Sequence, residues 1–464
     1  MAFFTPRQVT LMFRGKLSML RRRQSFVVLT LFAFVGMVLV AAPGWADLEK
    51  YVRKPEPAFR WELKGRLEQS GDRIYDLHFV SQIWQEITWE HQLQVYQPQG
   101  VGPNAAMLLW ITGGSARPAH ISMGLELARK IGAPAAFLFH IPNQPLLESK
   151  LREDDLIAET FVRYLKTRDE NWPLLLPMVK SVVKAMDVLQ AFSKREWSEP
   201  IQRFILSGSS KRGWTAWLTA AVESRVKAIA PAVIDTLNMR AQMPRQLEAF
   251  GAYSARLAPY INRGLVPIPE TAEGKRLLSM VDPWTYRDRL ILPKLIINGS
   301  NDFYWVTDAL NLYWEGLKGD KWVLYVPNAG HDLLRQDKAN LDRFADVVNG
   351  LAAFARYQMS DRPMPRLTWK YDKANGKLRL TVEAKPAPTG ARLWVAQAST
   401  QDFRKAKWRE QPVIVSKGRV IGEVTPPEEG YLAYYSELDY EIGGVKYHLS
   451  TQVRMMGKPD AGKE

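Results

Sequence analysis

Arg203-Phe204-Ile205-Leu206-Ser207-Gly208-Ser209-Ser210-Lys211-Arg212-Gly213-Trp214 is the stretch on which the fold turns. Residues 203–206 read as a short strand, and a helical pattern runs from the end of the stretch to residue 221. Ser210 stands at the tight junction between them, two residues after Gly208 and three before Gly213. An alkoxide nucleophile needs its oxygen lifted clear of the sheet, and the turn that lifts it is strained. Glycines on either side relieve the crowding where strand and helix backbones approach. The spacing is Gly-x-Ser-x-x-Gly, looser than Gly-x-Ser-x-Gly, because Arg212 occupies the last place of the shorter form. The helix start also brings backbone N–H groups, notably that of Lys211, toward a developing oxyanion. A serine at such a junction is more often a helix cap, so the turn alone decides little.

Chain order adds the weight. Asp302 follows a buried strand over residues 292–297, in Asn298-Gly299-Ser300-Asn301-Asp302. His331 follows the next strand, 322–326, in Pro327-Asn328-Ala329-Gly330-His331-Asp332. Nucleophile, acid and base thus occur as Ser, Asp, His, each just beyond the carboxyl end of a strand. That is the order of α/β-hydrolases, and strand ends are where open sheets build their sites. In this reading His331 takes the serine proton while Asp302 orients the ring. Asp235, at the end of a strand over 226–234, is the alternative acid. A second oxyanion donor is expected from Thr112-Gly113-Gly114-Ser115, where Gly113 and Gly114 let backbone amides approach a substrate closely, unless the pair is a plain turn. Lys211 either adds positive charge beside the intermediate or projects into solvent. Trp214, Tyr304 and Trp305 are expected pocket walls, and His120 a shaper of the pocket. The other histidines stand in no motif.

Around these residues strands alternate with helices from residue 47 to about 360, which predicts a mostly parallel sheet covered on both faces. The rhythm breaks over residues 236–290, read as a helical cap inserted between two strands. Arg362-Pro363-Met364-Pro365 is a linker. Beyond it lie strand-like runs only, with Asn375-Gly376 a strong hairpin signal, so residues 361–464 read as a small all-β, sandwich-like domain.

Hydrophobic residues make up 46% and charged residues 24% of the 464, enough apolar material for a large core. Most of the 16 tryptophans are expected there. The net charge is +15, but six positives fall before residue 46 with no acid among them, leaving +9 on the rest. That mild bias suits weak association with anionic envelope surfaces. No dense basic block with interleaved aromatics is present, so nucleic-acid binding is not expected. The absence of cysteine removes disulfides, thiolate nucleophiles and Cys-based metal sites. No metal-ligand spacing or phosphate-binding loop implies a cofactor. Arg21-Arg22-Arg23, an apolar run over 26–40 and Ala41-Ala42-Pro43-Gly44-Trp45-Ala46 have the form of a secretory signal cut after Ala46. The protein is therefore expected to be periplasmic or secreted.

Asn143-Gln144-Pro145-Leu146, Arg152-Glu153-Asp154-Asp155-Leu156-Ile157-Ala158, Trp172-Pro173, Pro177-Met178-Val179-Lys180-Ser181, Ser209-Ser210-Lys211-Arg212-Gly213-Trp214 and Asp402-Phe403-Arg404 with Trp408 resemble the PhoPQ-activated pathogenicity-related proteins of Gram-negative bacteria. The resemblance spans nearly the whole chain beyond residue 46 and implies a secreted or periplasmic α/β-hydrolase. The turn at Ser210 is also similar to that of glucuronoyl esterases, but Lys211 stands where those carry arginine, so the similarity does not by itself imply uronate specificity. Two functions fit. One is a hydrolase cleaving an ester or amide of a small-molecule, peptide or glycan substrate. The other is a silent hydrolase scaffold that binds or sequesters a peptide or glycan.

Overall fold

The computed structural model describes residues 46–457. The expected signal therefore lies outside the described residues except for Ala46, which opens helix α1 (Ala46–Arg53). Three antiparallel strands follow, β1 (Arg60–Gln69), β2 (Asp72–Trp84) and β3 (Ile87–Gln97). Next come β4 (Ala106–Ile111), β5 (Ala135–Leu138), β6 (Arg203–Ser209), β7 (Val226–Ala232), β8 (Lys294–Gly299) and β9 (Lys321–Val326), which are parallel to one another. The parallel strands are continuous apolar runs because helices cover both faces. Every residue of Ala-Met-Leu-Leu-Trp-Ile in β4 is buried, and each large side chain there contributes about 1.5–3 kcal/mol. At the opposite extreme β1, an edge strand, alternates charges along Arg-Trp-Glu-Leu-Lys-Gly-Arg and is mostly exposed, which discourages pairing with another chain.

Between the strands run α2 (Pro118–Ile131), α3 (Glu153–Thr167), α4 (Leu175–Trp197) and α5 (Lys211–Val222). The interval 236–290 is helical as expected, with α6 (Met239–Phe250), α7 (Ala258–Ile261) and α8 (Ala272–Val281). The last helix, α9 (Ala345–Met359), is preceded by residues 340–344, which wind as a tighter 3₁₀ turn. No helix among the described residues is long and apolar enough to cross a membrane.

The tail holds β10 (Arg366–Ala374), β11 (Lys377–Lys385), β12 (Gly390–Ala398), β13 (Arg409–Gln411), β14 (Ile414–Ser416), β15 (Arg419–Val424), β16 (Tyr431–Ile442), β17 (Val445–Ser450) and β18 (Arg454–Gly457). Four of them form a small antiparallel sheet in the order β10-β11-β15-β14. The others continue the main sheet, which runs β1-β2-β3-β5-β4-β6-β7-β8-β9-β17-β16-β12-β13, with β18 beside β16. The joint is antiparallel, with Ser450 of β17 opposite Val323 of β9. Leu380 and Val420 of the small sheet, Leu393 and Leu438 of the tail's other strands, and Leu324 and Phe354 of the parallel part share one apolar cluster. The tail is thus a sandwich whose larger layer is an extension of the parallel sheet.

Candidate active site

Ser210 lies between β6 and α5 with φ 57° and ψ −128°, a conformation that non-glycine residues rarely adopt. Its backbone is held by Ser210 N–H donating to Ala232 O at 2.8 Å and by Trp214 N–H donating to Ser210 O at 3.0 Å. The hydroxyl makes no capping hydrogen bond to the start of α5. The bland reading of this serine as a helix cap is thereby removed. Close packing of α5 on the sheet depends on glycine. A Cβ at Gly213 would stand 2.8 Å from both Gly208 O and Ile234 Cγ2, and one at Gly208 would stand 2.9 Å from Arg212 Cβ.

Asp302 and His331 come together. His331 Nδ1–H donates to Asp302 Oδ2 at 2.8 Å, and Tyr304 N–H donates to Asp302 Oδ1 at 2.7 Å, so both oxygens of this buried carboxylate are engaged. The Tyr304 ring lies on the imidazole with centroids 4.2 Å apart. His331 Nε2 is buried and has no hydrogen-bond partner among the described residues. Ser210 and His331 line one cavity of about 360 Å³, roofed by the cap helices and walled by Trp214, Tyr304 and Trp305 among others. The hydroxyl and Nε2 are not hydrogen-bonded to each other, a contact that in resting enzymes is often long and tightens with substrate.

The alternative acid is elsewhere. Asp235 accepts from Asn298 Nδ2 at 2.8 Å and from the Tyr313 hydroxyl, and burial pushes its carboxyl up to about 6. Asp308 is paired with Arg245 at 3.0 Å, and Asp332 accepts from Leu334 N–H at 3.0 Å. His120 does not border the cavity; its Nδ1 accepts from Arg117 N–H at 3.0 Å at the start of α2.

The basic residues after Ser210 turn inward. The Lys211 side chain is only 8% exposed, and its Nζ lies 2.9 Å from Glu153 Oε2 and 3.3 Å from Asp154 Oδ2. Two carboxylates thus offset its charge, and Lys211 does not project into solvent. Arg212 donates through both terminal nitrogens to Glu153 at 2.7 Å each and through Nε to Ile141 O at 2.6 Å. Burial pushes the Glu153 carboxyl up, but the Arg212 fork, Lys211 and Gln144 outweigh it and hold the group well below the usual carboxylate range. The guanidinium occupies the space over Gly113, where a Cβ would fall 1.6 Å from Arg212 Nη2. Glycine is needed at 113 to admit this side chain, a reason different from the expected approach to substrate. Neither Gly113 nor Gly114 borders the Ser210 cavity, and Gly114 O accepts from His140 N–H at 3.2 Å.

Sequence reasoning missed three neighbours of the site. Asp154 borders the cavity and accepts from the Tyr260 and Tyr304 hydroxyls at 3.1 Å each, as well as from Lys211. Glu153 and Tyr260 complete the cluster. Asp154 and Glu153 were visible in Arg152-Glu153-Asp154-Asp155, but acids there read as ordinary company for a helix start. Among the described residues no group of histidine and acidic side chains is arranged to hold a metal ion.

The helix-covered parallel centre of the sheet and the serine at the strand-to-helix turn define an α/β-hydrolase fold. Within that class, residues 48–404 match the PhoPQ-activated pathogenicity-related protein family, and the chain belongs to it. Autocrine proliferation repressor protein A of Dictyostelium discoideum is 29% identical over 440 residues, covering 87% of each chain. Among solved structures, acetyl xylan esterase from Paenibacillus sp. R4 is 14% identical with a TM-score of 0.48, over 67% of this chain and 92% of that one. Glucuronoyl esterase from Solibacter usitatus is 12% identical with a TM-score of 0.43, over 68% and 92%.

Proposed function

We propose that this chain is an exported serine hydrolase that cleaves an ester or amide bond through an acyl-enzyme on Ser210. His331 Nε2 takes the Ser210 proton as the hydroxyl oxygen attacks the substrate carbonyl carbon. Asp302, bonded to Nδ1–H, keeps the ring in the tautomer whose Nε2 is free and stabilises the imidazolium that forms. The carbonyl electrons move onto an oxyanion met by the Lys211 backbone N–H at the head of α5. The intermediate collapses as His331 returns the proton to the leaving oxygen or nitrogen, and water then repeats the cycle on the acyl-enzyme.

One observation carries the reading: Nδ1 of His331 is committed to Asp302, while Nε2, buried and unpartnered among the described residues, belongs to a side chain bordering the same cavity as a strained, non-capping Ser210. A fluorophosphonate probe is expected to label the wild-type chain and to leave Ser210→Ala unlabelled, with His331→Ala labelled at least about 10³-fold more slowly. Folded wild-type protein that resists the probe would favour the silent-scaffold reading. Export rests on the basic and apolar segment before residue 47. It predicts that protein recovered outside the cytoplasm begins at Asp47 on N-terminal sequencing.

A further inference from the structure

Two cavities meet at His331, and they differ in chemistry. The first, bordered by Ser210, is walled mostly by apolar side chains such as Met239, Met243, Leu247, Leu265 and Leu278, and the charged residues Arg240 and Glu270 on its lining are paired with each other. The second, about 820 Å³, carries Arg256 from the cap with Arg404, Lys405 and Lys407 from the tail. Tyr304 and His331 are the two residues that border both.

The charges of the second cavity are unevenly committed. Arg404 is paired with Asp402 at 2.6 Å, and Asp337, on the same wall, with Arg335 at 2.6 Å. Arg256, Lys405 and Lys407 are exposed, and no carboxylate pairs with them among the described residues. Asp332 is the one acid there without a cationic partner, and it is occupied by a backbone N–H. The lysines sit on a fixed wall. Asn301 Nδ2 donates to Phe403 O at 3.0 Å and Ala406 O at 2.7 Å, while Asn328 Oδ1 accepts from Trp408 N–H at 2.8 Å. Little ordering of this backbone remains to oppose binding.

Acyl transfer sorts a substrate into two halves. The acyl group stays on the serine, and the departing atom must take its proton from the histidine. We infer that the substrate joins an apolar acyl group, seated beneath the cap, to a negatively charged leaving group held in the cleft of Arg256, Lys405 and Lys407. This deepens the hydrolase reading and rests on Ser210 being its nucleophile.

The test uses the full chain and two matched series of acetyl, butanoyl and hexanoyl esters, one of 4-nitrophenol and one of 3-carboxy-4-nitrophenol. In both, kcat/KM is expected to rise about fourfold per added methylene, and Met243→Trp to abolish the gain from the longest chain. The preference for the carboxylated leaving group is expected to weaken with salt. Lys405→Glu with Lys407→Glu should cut the charged-to-neutral ratio of kcat/KM about tenfold, and Lys405→Arg with Lys407→Arg should keep it. A ratio unmoved by the double Glu variant, or a flat chain-length series, on protein that the fluorophosphonate still labels overturns this inference alone. Folded wild-type protein that neither reacts with the probe nor hydrolyses any ester overturns the hydrolase reading, and this inference with it.

Discussion

Two aspartates end strands on the same rim, and their surroundings give them different work. Asp302 spends one oxygen on His331 and the other on a backbone N–H, whereas Asp235 spends both on neutral donors, Asn298 and Tyr313. Asp302→Asn is therefore expected to fold normally and lose about 10⁴ in kcat, since the ring loses its tautomer. Asp235→Asn should keep most of kcat and change the dependence of stability on pH. Burial raises the folded-state pKa of Asp235 to about 6, so the folded chain binds this proton more tightly than the unfolded chain. The stability that the proton confers is complete below about pH 4 and lost as pH rises through 6. Relative to wild type, Asp235→Asn should gain up to about 3 kcal/mol between pH 4 and 7, measured by urea unfolding at both. Ser210, Asp302 and His331 were legible because each sits at a strand end, in an order that chemistry restricts. Glu153 and Asp154 were not, because the ion pairs that give them meaning reach 59 and 57 residues along the chain.

The element that Ser210 heads is α5, and its distance from the sheet is set by the lack of a side chain at Gly213. Gly213→Ala should push α5 away from β6 and β7 and cost about 1–3 kcal/mol by thermal unfolding. Because Ser210 heads the helix, fluorophosphonate labelling should slow along with it. Strand and helix alternation was readable from apolar runs and periodicity alone. Ends of elements were less so: β5 stops at Leu138 although, His140 apart, the apolar run goes on to Ile141, since His140 takes a positive φ of 61° and turns the chain away. The paired glycines after β4 show a deeper limit. A pattern of small residues reveals that something must come close, but not whether it is a ligand or, as at Gly113, the protein's own guanidinium.

Across the whole molecule the tail is tied to the candidate site by two asparagines. Asn301, beside Asp302, and Asn328, three residues before His331, bond to the backbone of the segment 403–408. Asn301→Ala leaves two carbonyls without their donor and is expected to cost about 2–4 kcal/mol. It should also lower kcat by more than it changes KM, since the loop bearing the acid loses its support. The hairpin at Asn375-Gly376 was plain in the sequence, with both residues at positive φ as that turn demands. The pairing of β17 with β9 was not, because strand partners distant in the chain leave no local trace. That pairing also sets a timetable. A ribosome releases Ser210, Asp302 and His331 well before Val445–Ser450, the strand that closes against β9. Chains that terminate before that strand, or are trimmed past it from the carboxyl end, keep all three candidate residues yet leave β9 with an open edge. The candidate site residues are thus made before the sheet that carries them is closed on that side.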